Sequence, residues 1–276
     1  MPELPEVETV CRGLARRLIG RRITRVILRR PDLRIPIPDG FAAAVEGQRI
    51  DRIERRAKYV RIHLDDGPVI ILHLGMSGRL MITEGPSNQA DPHDHVVFEV
   101  DDGTTVTFND RRRFGLLTIC PAASLDEHPL FSRLGPEPLD PAFDGLALAR
   151  RLAKKRTPIK AALLDQTVVA GVGNIYACEA LFGAGLSPRR HAYTVQGGRA
   201  DRLAAAIRTV LKAAIEAGGS SLRDYVQTSG ELGYFQHRFA VYDREGQFCP
   251  GCDCSGAIRR ITQANRSTFF CPRRQR

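Results

Sequence analysis

The sequence predicts an α+β protein of two domains. The first is an antiparallel β-sandwich carrying one leading helix, and the second is helical and closes on a cysteine-rich ribbon. Three observations carry this. Residues 5–19 repeat apolar side chains at helical spacing. Residues 23–120 break into short β-rich runs separated by Asp-Gly turns. After a Pro-rich stretch the helical period returns, and four of the seven cysteines crowd into the last 28 residues.

The leading helix places Val7, Val10, Cys11, Leu14, Ala15 and Leu18 on one face. Pro5 suits its first turn, Glu6 and Glu8 suit the positive end of its dipole, and Gly20 suits its stop. Strands are expected at 23–28, 59–64, 69–74, 95–100 and 104–108, with turns at 65–67 and 101–103. The stretch LGPEPLDPAFDG (134–145) reads as a linker. Helices are expected at 147–155, 158–164, 173–182 and 199–217, and the loop GGSS (218–221) ends that region. The expected division is a sandwich domain at 1–133, a linker at 134–146, a helical domain at 147–239 and a ribbon at 240–276.

Hydrophobic residues make up 43% of the 276, enough for sizeable cores, and no apolar run is long enough to span a membrane. MPELPEVETV has neither the basic nor the apolar region of a signal peptide, so the cytoplasm, or a nucleoid within it, is the expected location. Without an export signal, disulfides are not expected among the seven cysteines. Lys and Arg number 41 against 31 Asp and Glu, a net charge of +10. The excess clusters at Arg52, Arg55, Arg56 and Lys58, at Arg111, Arg112 and Arg113, and along 256–276. Such clustering favours a polyanionic partner, most simply nucleic acid.

The start of the chain carries chemistry. Pro2 is small enough for Met1 to be trimmed, which would free a secondary amine. An α-amine titrates at about 7.7–8.0, so a useful fraction is neutral near pH 7 and can attack an acetal carbon. Glu3 could move the proton this requires, and Glu6 lies one turn further on. Helix-start residues alone would look similar.

A series of motifs spans nearly the whole chain: PELPEVETV, RRAKYV, LHLGMSGRL, NDRRRFG, LLDQTVVAGVGNIYACEALF, GGSSLRDYVQTSGELGYFQHRFAVYDREG and the cysteine-rich end. In these the sequence resembles the bacterial formamidopyrimidine-DNA glycosylases. The sister endonuclease VIII-like enzymes, which prefer oxidised pyrimidines, typically open with PEGPE instead. The resemblance implies a monomeric base-excision-repair enzyme that removes oxidised purines (8-oxoguanine, formamidopyrimidines) from double-stranded DNA. It would proceed through a Schiff base at Pro2 and nick the strand by β,δ-elimination.

The resemblance also implies roles. Glu3 would act as general acid/base, with Glu6 in support. Lys58 would assist elimination. His73, Lys155 and Lys160 would contact the DNA backbone. Met76, Arg112 and Phe114 would fill the void left by the extruded nucleotide. Arg111 stands where the family has proline, which removes a fixed φ from that loop. GVGNIY matches the family's helix–two-turn–helix, with Asn174 opening a helix toward a phosphate. Ser220, Ser221, Arg223 and Tyr225 lie in the loop that would cover the everted base. Arg266, in QANRSTFF, would bind phosphates and assist δ-elimination.

The end of the chain resembles the family's zinc-ribbon β-hairpin but departs from it. Four-cysteine ribbons place two pairs about 15–20 residues apart. The resemblance implies about sixteen residues between the second and third ligands. Here sixteen separate Cys254 from Cys271 and eighteen separate Cys252 from Cys271. Cys254 therefore matches the second place, Cys252 is left over, and Arg274 stands at the usual fourth position. Three readings stay open. Cys249, Cys252, Cys254 and Cys271 all hold one structural Zn2+; three of them hold it; or the hairpin packs without metal.

Overall fold

The computed structural model describes residues 1–85, 91–221, 226–252 and 257–276. Its helices are α1 (Leu4–Leu18), α2 (Phe41–Val45), α3 (Gly145–Leu152), α4 (Ile159–Leu164), α5 (Asn174–Ala184) and α6 (Gly198–Glu216). Its strands are β1 (Ile23–Leu28), β2 (Ile50–Arg56), β3 (Tyr59–Leu64), β4 (Pro68–His73), β5 (Arg79–Glu84), β6 (Asp94–Val100), β7 (Thr104–Asn109), β8 (Leu116–Pro121), β9 (Arg259–Gln263) and β10 (Arg266–Phe270). No helix among the described residues is long and apolar enough to cross a membrane. The chain divides into two compact units: Met1–Ser132 with Ala217–Tyr234, and Arg133–Glu216 with Phe235–Arg276.

The first unit contains two four-stranded antiparallel sheets, ordered β1-β6-β7-β5 and β2-β3-β4-β8. The apolar face of α1 (Val7, Val10, Cys11, Leu14, Leu18) joins Ile23, Phe98 and Val106 of one sheet and Ile62, Ile70 and Leu72 of the other in one core. Burying each such side chain stabilises the fold by roughly 1.5–3 kcal/mol. Strands β2, β5 and β8 were not expected from the sequence. IDRIERR carries five charges and offers apolar residues only at Ile50 and Ile53, so its alternation is weak. LLTICP is apolar without alternation, because residues on both faces of β8 are covered.

Segment 217–234 clusters with this first unit, although the sequence places it inside the helical domain. The reason is visible in its bonds. Glu6 accepts the Ser220 N–H at 2.8 Å, and Ile82 donates its N–H to Thr228 O at 3.0 Å. Gly13 of α1 lies directly against Thr228, leaving no room for a Cβ.

The second unit packs α5 against α6 and α3 against α6, with β10 against α5. α6 is amphipathic and buries Leu203, Ala204, Ile207, Leu211, Ala214 and Ile215. α5 is buried nearly all round, and it ends at Gly185, whose φ of +68° only glycine adopts readily. The expected linker is not free chain. Gly135 donates to Gln166 O at 2.8 Å, Pro136 O accepts the Ala170 N–H, and Asp144 caps α3 through the Ala147 N–H.

Candidate functional site

Pro2, Glu3 and Glu6 are all buried at the start of α1. Glu3 is the N-cap residue, and it shares a capping box with Glu6. One Glu6 oxygen accepts the Glu3 N–H at 2.8 Å and the other accepts the Ser220 N–H at 2.8 Å. A single carboxylate therefore fixes both the chain end that carries Pro2 and the start of the 220–234 segment. Ser221 Oγ accepts the Gly233 N–H at 2.8 Å. Arg223 and Tyr225 lie outside the described residues.

Lys58 sits in the two-residue turn between β2 and β3, where Arg56 pairs with Tyr59 and Ala57 takes a φ of +53°. Its side chain is buried. Arg55 holds this turn: its Nε donates to Glu8 of α1 at 3.0 Å and its Nη1 to Ala57 O at 3.1 Å. The turn carrying Lys58 is thus tied to the helix that begins after Pro2.

His73 ends β4 with its ring 4.9 Å from that of Tyr59. Burial, then the charges of Lys58 and Arg34, against an opposing pull from Asp110, hold its pKa down to about 4. The imidazole is neutral at pH 7. Its Nδ1 accepts the Gly75 N–H at 2.9 Å, so the proton sits on Nε2, which is left as a donor.

Met76 and Phe114 are 37% and 45% exposed, unusual for such side chains. They lie on the β4–β5 and β7–β8 connections. The exposed Arg112 guanidinium stands 4.8 Å over the Phe114 ring.

In the second unit, Asn174 opens α5. Its amide donates to Ser267 O at 3.0 Å and to the Tyr242 hydroxyl at 3.3 Å. Two residues without an expected role organise this region. Gln166 accepts the Gly171 N–H at 2.8 Å and donates to Val172 O at 2.9 Å, shaping the turn before α5. Glu179, buried on α5, accepts the N–H groups of Ala240, Val241 and Tyr242 at 2.8, 3.0 and 2.8 Å. Burial pushes its carboxyl above the usual range, against those three bonds. Helical period alone marks Glu179 as a polar residue on an otherwise apolar helix, a signal that could have drawn attention to it.

The two lysines expected at the DNA backbone differ. Lys155 Nζ is paired with Asp165 at 2.6 Å near the surface. Lys160 is fully buried, and its Nζ donates to Thr268 Oγ1 at 2.7 Å and Ser267 O at 3.1 Å. It braces the strand that begins with Arg266. Arg266 itself is exposed and follows the two-residue turn Ala264-Asn265, both at positive φ.

At the end of the chain, the sulfurs of Cys249, Cys252 and Cys271 lie within 4.8 Å of one another. Cys252 and Cys271 are 3.6 Å apart. Tetrahedral zinc with Zn–S of about 2.3 Å would place its thiolates about 3.8 Å apart, so these three fit a metal. Burial opposes ionisation of Cys271. The N–H groups of Arg274 and Arg273 and the neighbouring thiols outweigh it and bring its pKa to about 7, which favours a thiolate ligand. Cys254 lies outside the described residues. Arg274 points away as a donor: Nη1 to Gly251 O at 2.8 Å, with its guanidinium 4.9 Å from the Phe182 ring.

Comparison with known proteins also separates the two parts of the chain near residue 133, but it keeps residues 217–226 with the second part. A model described as the formamidopyrimidine-DNA glycosylase N-terminal domain matches residues 1–117, and one described as the formamidopyrimidine-DNA glycosylase H2TH domain matches 134–226. The formamidopyrimidine-DNA glycosylase of Rhodospirillum centenum is 60% identical over 290 residues, and that of Rhodospirillum rubrum 58% over 283, each covering 100% of both chains. The crystal structure of the MutM (Fpg) protein of Thermus thermophilus superposes with a TM-score of 0.88 at 42% identity, over 99% of this chain and 98% of that one. Wild-type Lactococcus lactis Fpg, in complex with a DNA containing N7-benzyl-Fapy-dG, gives 0.90 at 32% identity over 99% of both.

Proposed function

The chain belongs to the formamidopyrimidine-DNA glycosylase family, and we propose from that premise that its Pro2 amine is the nucleophile of the reaction. The protein is a base-excision-repair DNA glycosylase that acts on oxidised purines, with the strand-cleaving lyase activity typical of the family, and its partner is lesion-containing DNA.

With Met1 removed, the Pro2 nitrogen attacks C1′ of the damaged nucleotide, the glycosidic bond breaks, and the base leaves with a proton supplied by an acid. Glu3 fills that role. The nitrogen loses its proton, the C1′–O4′ bond of the sugar breaks and O4′ takes up a proton, which opens the ring. This leaves an iminium at C1′ that acidifies the C2′ proton. Its loss expels the 3′ phosphate, and a second elimination expels the 5′ phosphate. Lys58 assists elimination, and Arg266 neutralises phosphate charge. His73 binds phosphate as a neutral donor through Nε2–H, so this contact needs no protonation at pH 7. Asn174 and the N-terminus of α5 bind a second phosphate. Lys160 acts by bracing β10 beneath Arg266. A backbone contact by Lys155 has to compete with Asp165 for the ammonium. Met76, Arg112 and Phe114 fill the void, and Ser220, Ser221, Arg223 and Tyr225 belong by sequence to the segment assigned to the everted base.

The observation that carries this reading is the Glu6 carboxylate, which joins the backbone beside the nucleophile to the base-covering segment. Single-turnover cleavage of an 8-oxoguanine:cytosine duplex tests it. Pro2→Gly is expected to lower base release by at least about 100-fold, the scale of a lost covalent or acid–base contribution. Glu3→Gln should fall by a similar factor. Unchanged release in both would overturn the roles.

We also propose that one Zn2+ is held by Cys249, Cys252 and Cys271 with Cys254 as fourth ligand. The metal, when bound, supplies structure to the ribbon and takes no part in the chemistry. One zinc per chain, lost in Cys252→Ser, is the expected result; full zinc affinity in that variant would exclude it.

A further inference from the structure

Strand pairing forces the two void-filling connections together. The β4–β8 pairing ends at His73 and Leu116, and the β5–β7 pairing begins at Arg79 and Asn109. Residues 74–78 and 110–115 therefore cross from one sheet to the other side by side, between the same two rungs.

They also touch along their backbones. A Cβ on Gly75 would lie 2.5 Å from Phe114 O, and one on Gly115 would lie 3.1 Å from His73 O. Only glycine permits this approach.

One buried polar cluster joins them. Ser77 Oγ donates to Asp110 Oδ1 at 2.6 Å and accepts the Arg112 N–H at 3.0 Å. Asp110 Oδ2 accepts the Gly115 N–H at 2.7 Å, so the carboxylate brackets the turn that carries Arg112 and Phe114. Asp110 O is held in turn by His95 Nε2 at 2.9 Å. Asp110 is fully buried and Ser77 nearly so, which puts both behind the exposed Met76, Arg112 and Phe114. Arg111 gives this turn no fixed φ of the kind a proline would impose. The turn is instead shaped by these bonds, and Arg113 is held at a φ of +57°.

We propose that Ser77 and Asp110 are positioning residues that lock Met76 on one loop and Arg112 and Phe114 on the other into a single preorganised wedge for lesion extrusion. The inference rests on the void-filling roles given above. Two independent mobile loops would have to be ordered each time a nucleotide is extruded, whereas a locked pair enters the duplex already shaped. Ser77 and Asp110 act only through the wedge, so their loss should weigh most on the step that opens the stack.

The test is a comparison of substrates. Ser77→Ala, Asp110→Asn and the double variant are assayed in single turnover on an 8-oxoguanine:cytosine duplex and on a duplex with a preformed abasic site, which has no base to unstack. Opening is followed separately by fluorescence of 2-aminopurine placed beside the lesion, and folding by urea denaturation. Loss of one charge-assisted hydrogen bond predicts about tenfold slower base release in Ser77→Ala. The loss on the abasic duplex should be at least about fivefold smaller, the 2-aminopurine step should slow in parallel with base release, and the double variant should be no worse than the worse single one. Equal losses on both substrates, or no loss on either, would overturn the proposal. Met76→Ala and Phe114→Ala separate it from its premise. If neither slows opening, the wedge roles fail and the lock with them. If both slow opening and Ser77→Ala does not, only the lock fails.

Discussion

Replacing Glu179 should loosen the second unit by an amount that can be worked from three bonds. Its carboxylate accepts the N–H groups of Ala240, Val241 and Tyr242 from a position only 4% exposed. In Glu179→Ala all three donors lose their acceptor, Val241 in a buried setting and Ala240 and Tyr242 in partly buried ones. The buried loss costs about 1–3 kcal/mol and the other two less, so the sum is about 2–6 kcal/mol against a total stability of about 5–15 kcal/mol. Glu179→Gln is milder. The amide can keep its oxygen toward Val241 and Tyr242 and turn its NH2 toward Ala240, which orphans one N–H. It also removes a charge whose burial is unfavourable, as the raised carboxyl pKa shows, so about 1–2 kcal/mol is expected. Urea denaturation of the full chain measures both. The damage should reach a side chain proposed to bind DNA, because Tyr242 hydrogen-bonds Asn174 and packs on Phe269 at 5.1 Å. Affinity for an abasic duplex should therefore fall in both variants, more in Glu179→Ala. A Glu179→Ala protein within about 0.5 kcal/mol of wild type would refute the reasoning, since the three donors, that of Val241 buried, would then have found other acceptors.

Other consequences follow from single groups. His73 has a pKa of about 4 in the folded chain against about 6.5 unfolded, so the unfolded state binds more protons between those values. Its contribution to stability is complete above pH 6.5 and is lost as pH falls toward 4; His73→Gln should flatten the stability–pH curve in that window and leave it unchanged above. Removing the proposed zinc with a chelator should lower the stability of the ribbon, read by hydrogen exchange at 257–271. Arg274→Ala should deepen that loss, because the Arg274 guanidinium joins Gly251 O to the Phe182 ring independently of the cysteines. Equal exchange in wild type and variant after chelation would show that Arg274 carries none of the hold.

Local pattern made the main elements legible. The periods in 5–19 and 199–217 reflect helices that bury one face, and 23–28 and 59–64 match strands in the structure. Where a strand's charges or full burial hide its alternation, as in β2 and β8, the same reasoning finds nothing. The assignment of site residues rested on motif resemblance, because the physics that joins them is non-local. Glu6 meets Ser220 across 214 positions, Ser77 meets Asp110 across 33, and Glu179 meets Tyr242 across 63. A buried carboxylate such as Glu179 can stand out in its own element, but nothing there tells which backbone N–H groups it reaches. The cysteine spacing was legible only in part. It identified Cys252 as the spare thiol near a lost fourth ligand, and the structure brings that thiol to Cys249 and Cys271.

The central claim is that the amine of Pro2 forms the covalent intermediate. Borohydride reduction during turnover on an 8-oxoguanine duplex, followed by tryptic digestion and mass spectrometry, locates the adduct directly. The account predicts a sugar–phosphate remnant on the peptide PELPEVETVCR, attached at its N-terminal nitrogen, in protein from which Met1 has been removed. An adduct on Lys58 or any other lysine, or on protein that retains Met1, would contradict it.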